Sequence, residues 1–151
     1  MQGREPQLSN NIFFTCSLIE YIARKTKNTA VLVFDTLGRN RVERILELAD
    51  VYHSDNIDAV TESFVQEANI PTGTFDNVAS ARFAIPSHWD IGKVYKRLVL
   101  NIMDAEGVNP VEAMGRAYHS PVTALINDYN GSFYYEPPQA IYAAHATGEL
   151  E

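Results

Sequence analysis

Four histidines and one cysteine are the most chemically versatile side chains of this 151-residue sequence. Imidazole titrates near neutral pH, ligates metals and moves protons, and a thiolate is a strong nucleophile. Glu47, Asp50 and His53 follow one another at three-residue steps. On a helix that spacing drifts round one flank and offers two carboxylates and an imidazole to a divalent metal. The competing reading is a solvated acidic flank with His53 at its end, and the HExxH or ExxH pairs of established metal helices are absent. His88, in SHWD, stands close to Asp90, so the two form a candidate general base and orienting carboxylate. A histidine that only hydrogen-bonds its loop is the alternative there. Cys16 lies between IFFT and LIEYI, an apolar setting that raises a thiol pKa, so it reads as a small buried side chain. No GxSxG, GxGxxG or GxxxxGK[ST] occurs, so neither a nucleophile elbow nor a phosphate-cradling loop is expected, and no cofactor.

Charge is the second source of candidates. Twelve Lys+Arg stand against nineteen Asp+Glu, a net charge of −7, which disfavours nonspecific nucleic-acid binding by the whole surface. The signs alternate in blocks. Arg24 to Arg44 holds six bases and two acids; Ile45 to Asp76 holds seven acids and no base; Arg82 to Arg97 holds four bases and one acid. Opposite blocks can meet within the fold or across a homodimer, or they can dock a protein partner. The partner-binding candidates are Arg41, Arg44, Lys93, Lys96 and Arg97, with the aromatics Trp89, Tyr134 and Tyr135. Arg41 and Arg44 also start a helix that follows a short turn, the placement of a DNA-reading helix, although Glu43, Glu47 and Asp50 on the same helix would repel phosphate.

The elements that position these residues are read from apolar periodicity. Asn11 to Lys27 places Ile12, Cys16, Ile19, Ile22 and Ala23 on one face and predicts a largely buried helix ending in bases that suit the dipole. Ala30 to Phe34 is apolar enough for a buried strand or a short core helix. Helix is favoured by a Thr29 or Asn28 cap, the i, i+3, i+6 spacing of Val31, Phe34 and Leu37, and a left-handed Gly38. Further helices are expected over Asn40 to His53, from a cap among Ser54, Asp55 and Asn56, from Ser87 or Asp90 inward to Ala105, and from Asn109-Pro110. The last is interrupted at Ser120-Pro121 and continues to Tyr129 before Asn130-Gly131. A final short helix runs from Pro138 to Ala146. Ile70 to Asp90 is the one long irregular connection, with an extended piece at Arg82 to Ile85.

The result is a mostly α, single domain of six or seven helices over residues 11–148, after a polar segment 1–10 and before a tail 149–151 that reads as vector-derived. Its expected core is Ile12, Ile19, Ile22, Val42, Ile45, Leu46, Ala49, Ile57, Val60, Phe64, Val94, Leu98, Ile102, Leu125 and Ile126. With no signal peptide and no membrane-spanning run, a cytoplasmic location is expected. The runs IFFTCSLIEYIARKTKN, ELADVYHSDNID and SHWDIGKVYKRLVLNI, with DYNGSFYYEPP, resemble a family of small, mostly helical bacterial proteins of unknown function. That family resembles accessory members of toxin-like gene clusters, which implies an antitoxin-like or other protein-binding role and brings no catalytic residues. The residues leave three expectations open: a non-catalytic interaction module, a metal- or histidine-dependent hydrolase, and a helix-turn-helix regulator.

Overall fold

A computed structural model describes residues 4–148, and side chains from Pro6 onward. Among the described residues there are eight α-helices and no strand: α1 (Arg4–Thr26), α2 (Ala30–Glu47), α3 (Ala49–His53), α4 (Ile57–Ala68), α5 (His88–Glu106), α6 (Pro110–Tyr118), α7 (Val122–Ile126) and α8 (Pro138–Thr147). A 3-10 turn, Phe133–Tyr135, precedes α8. The all-α expectation holds, with more helices than the six or seven expected. The residues read as tail, 149–151, lie outside the described residues.

Helix α1 is the centre. From Ile12 to Ile19 all residues but Phe13 are buried, polar Thr15 and Ser17 included, which requires neighbours on every side. Helix α5 is its main partner; α2 lies on another side, α6 packs on α5 and α2, and α8 on α5. The α1–α5 contact is close because Gly92 faces Ser17. A Cβ at position 92 would sit 2.8 Å from Ser17 Cα and 1.9 Å from its Oγ. Only a residue without a side chain lets the two backbones meet there.

One turn beyond that contact lies a buried polar network. Glu20, 2% exposed, accepts hydrogen bonds from Asn127 Nδ2 (2.8 Å), from Arg24 Nε (3.1 Å) and from the Tyr129 hydroxyl. Asn127 Oδ1 accepts from the buried Tyr95 hydroxyl. Arg24 also donates to Pro86 O (2.7 Å) and Tyr129 Oη (2.8 Å). A carboxylate taken out of water is tolerated when its lone pairs are met in this way. The network joins α1, α5, the residues after α7 and the end of the long connection.

Several boundaries moved. Helix α1 begins at Arg4, inside the segment read as a polar leader. At Gly38 (φ 81°, ψ 162°) the backbone leaves helical geometry, so α2 is two helices meeting at a kink, and the positive φ expected of this glycine is present. The helix expected over Asn40 to His53 breaks at Leu48 (φ −107°, ψ 23°), leaving α3 separate. Helix α7 stops at Ile126, so Tyr129 is buried outside any helix. Ala105, expected inward, is exposed, and Ile57, Val94 and Leu125 are only half-buried. The other expected core residues are buried. Arg82 to Ile85 forms no strand.

The long connection is held by backbone and amide bonds. Gly73 N donates to Thr26 O (2.8 Å), Phe75 N to Lys27 O (2.9 Å), and Asn77 Nδ2 to Asn127 O (2.9 Å). Buried Asn28 donates to Pro71 O at 2.7 Å. A Cβ at Gly73 would fall 2.3 Å from Lys27 O, so this glycine too is a condition of close approach. Local start signals behave as expected: Thr29, Asn56 and Asn109 cap with their side chains, and Ser87 with Asp90 forms a reciprocal capping box.

Two stability predictions follow from the packing. Gly92→Ala should lower unfolding free energy by about 3 kcal/mol, from overpacking against a neighbouring backbone, measured by urea titration; adding Ser17→Ala should restore little, because Ser17 Cα and Cβ remain too close. Glu20→Ala, which leaves three buried donors unmet, should cost about 3–5 kcal/mol in the same assay.

Candidate functional site

The expected site residues fall into three groups. The first basic block is consumed within the fold. Arg44 Nη2 lies 2.6 Å from Glu67 Oε2, and Arg41 donates to Leu37 O (3.0 Å) and Glu67 O (3.2 Å). Lys25 pairs with Asp58 (3.7 Å) and Lys27 with Asp76 (3.9 Å). The partner-binding role expected of Arg41 and Arg44 therefore meets side chains already bound to α4, and the same bonds occupy the face that would read DNA.

The histidine candidates gather round an indole. His53 stacks on Phe14 (centroids 5.0 Å) and lies 5.4 Å from Trp89; His88 lies 4.6 Å from Trp89 and meets Tyr21 edge-on at 4.8 Å. Phe13 completes the cluster at 5.6 Å from Trp89. Two histidines 35 positions apart in sequence thus share one aromatic neighbour. The arrangement does not serve the chemistry expected of them. Asp90 Oδ2 accepts the Ser87 amide (2.9 Å) as a helix cap, and no hydrogen bond joins Asp90 to His88. His88 Nε2 is buried without a partner. Burial, then the nearby Arg24 charge, holds the His88 pKa below its usual value, against the pull of Asp90. Glu47 sits at the end of α2, while Asp50 and His53 are on α3; among the described residues no three metal-ligating side chains converge.

Lys93, Lys96 and Arg97 project from α5 beyond Trp89. Lys96 Nζ lies 5.9 Å from the Phe13 ring centroid. Desolvation, then the neighbouring charges of Arg97 and Lys93, lowers the Lys96 pKa. Arg97, with Val94, also borders a small hollow shared with Tyr134 and Glu136. Tyr134 and Tyr135 are tilted rings at 4.6 Å, and Tyr135 is 78% exposed on the 3-10 turn. The candidates Trp89, Lys93, Lys96, Arg97, Tyr134 and Tyr135 are thereby grouped around the N-terminal half of α5.

A third arrangement was missed from the sequence. His119, the residue that ends α6, reaches Asp35 on α2 with Nε2 and Oδ1 2.7 Å apart. The pair opens into a groove of about 440 Å3 lined by Phe34, Arg39, Glu112 and Arg116, and His119 also borders an apolar pocket of about 360 Å3 with Val31, Phe75, Pro121 and Ala124. Both partners are about half exposed, at 56% and 50%. No local pattern around Asp35 points to His119, 84 residues away.

No protein-family model, curated protein or solved structure matches the chain. The class of protein is thus set by the fold alone: an all-α, multi-helix domain built round one buried helix. None of the described helices is long and apolar enough to cross a membrane.

Cys16 is wholly buried, and burial pushes its thiol up to about 12. At pH 8 only about one thiol in ten thousand is ionised at such a pKa. Labelling of the native protein with a thiol-specific disulfide reagent at pH 8 should therefore be slow and follow global unfolding, with rapid stoichiometric reaction in denaturant.

Proposed function

We propose that the protein is a non-catalytic interaction module, an accessory or antitoxin-like protein that docks an acidic partner on the N-terminal half of α5. One observation carries this reading: among the described side chains, Arg24, Lys25, Lys27, Arg39, Arg41, Arg44 and Arg116 all have carboxylate partners, while Arg82, Lys93, Lys96 and Arg97 have none. A strongly acidic chain thus keeps one basic block without ion-pair partners, and it lies beside the half-buried Trp89 and Tyr134 and the exposed Tyr135. Mutually repelling cations with apolar neighbours favour a partner that supplies carboxylates and apolar contacts together. Charges at such a rim act mainly on association rate and selectivity.

The chain's net charge of −7 works against a nucleic-acid partner, whose phosphates its remaining surface would repel. A second reading, a histidine-dependent hydrolase, is favoured by the His119–Asp35 pair. With Asp35 accepting the Nε2 proton, Nδ1 is left as the base for a water at the junction of a polar groove and an apolar pocket.

Tagged protein used to capture partners from native cell extract separates the two. The interaction reading expects one stoichiometric protein, released by salt, lost by at least about tenfold in K93E/R97E and retained in Arg39→Gln. Capture insensitive to K93E/R97E overturns it. Turnover of a p-nitrophenyl ester abolished by His119→Ala would establish the hydrolase instead.

A further inference from the structure

Part of the unpaired acid is localised as well. Among the described residues Asp90 and Asp104 on α5 and Asp128 and Glu136 after α7 form no ion pair, and neither do Glu47, Asp50, Asp55 and Glu62, which follow one another through the end of α2, α3 and α4. Between them and the α5 bases lies the aromatic cluster. Asp50 is one turn before His53 on α3; Lys93 and Lys96 are one and two turns after Trp89 on α5; His53 and Trp89 are 5.4 Å apart. The elbow between α2 and α3 adds Leu48 and Val51, exposed at 41% and 61%. The surface therefore runs acid, then aromatic and aliphatic, then base.

Such a strip is complementary to itself. A two-fold axis through its middle lays the acidic end of one copy on the basic end of the other, twice, and buries the apolar centre against its own image. The charged rim around an aromatic centre is the usual composition of a protein interface. Relief of the crowding among Lys93, Lys96 and Arg97 needs carboxylates, and the chain carries unpaired ones, Glu47 and Asp50, beyond the His53–Trp89 contact.

We propose that the partner seated on this face is a second copy of this chain, in a symmetric dimer whose axis passes near His53 and Trp89, with Lys93 and Lys96 facing Glu47 and Asp50 of the other copy. This rests on the reading of α5 as a protein-docking face and names its occupant. A foreign acidic protein would meet the bases but leave Glu47 and Asp50 uncompensated, whereas a second copy answers both ends.

Sedimentation velocity tests it. The wild-type protein should be a dimer at about 100 μM in low salt and dissociate as salt rises to about 0.5 M, where surface charges are screened. K93E/K96E should be monomeric with unchanged helical circular dichroism, and E47K/D50K likewise. An equimolar mixture of the two should return to dimers, since each then meets opposite charge at both ends. A wild-type monomer overturns the proposal, as do open oligomers growing with concentration, or a dimer that both double variants leave intact. If the wild type is monomeric while K93E/R97E still loses a captured acidic protein, only the dimer fails; a monomer with no captured partner removes both readings.

Discussion

The approach of α1 to α5 at Ser17 and Gly92 is the constraint on which the rest of the molecule depends. Because a missing side chain lets these backbones meet, Tyr95 on α5 reaches under α1 toward Asn127, and Glu20 on α1 is closed in by Asn127, Tyr129 and Arg24. A carboxylate so enclosed demands fixed geometry of every donor around it. That requirement fixes where the chain after α7 must lie, and through Arg24 and Pro86 it fixes where α5 begins. The position of Trp89, against which both histidines lie tilted, follows from that starting point.

The same scaffold sorts the charges. Helix α4 is brought against the second half of α2, so Glu67 takes Arg41 and Arg44; the long connection is tied to the end of α1, so Asp76 reaches Lys27. These exposed pairs add little stability. Their larger effect is to leave the second basic block unpaired on one side of the aromatic cluster and Glu47 and Asp50 unpaired on the other, with Asp90, Asp104, Asp128 and Glu136 unpaired elsewhere. Block structure in the sequence becomes polarity on the surface only because some blocks are cancelled inside the fold.

Much of the fold was legible because its signals are local. Asn109 before Pro110, the Ser87–Asp90 box, and Gly107 and Gly148 in left-handed conformations after α5 and α8 each act within a turn. Helix over strand at Ala30 to Leu37 was decided by a cap, a period and a glycine, all within ten residues. Glu20 was overlooked although it carries a signal: a lone acid in the otherwise uncharged stretch from Ile12 to Ala23 implies buried partners. The break at Leu48 carries none, because Leu is a good helix former.

The sequence by itself determined an all-α class, the main helices and the alternation of charge, since caps, periodicity and composition act over a few residues. Tertiary structure alone decided which charges remain free and which imidazoles have neighbours. His119 meets Asp35 across 84 positions, Asn127 meets Glu20 across 107, and Arg44 meets Glu67 across 23. Such meetings depend on the angles at which packed helices cross. The α1–α5 approach rests on the absence of a Cβ at Gly92, and no local pattern records what that absence brings together.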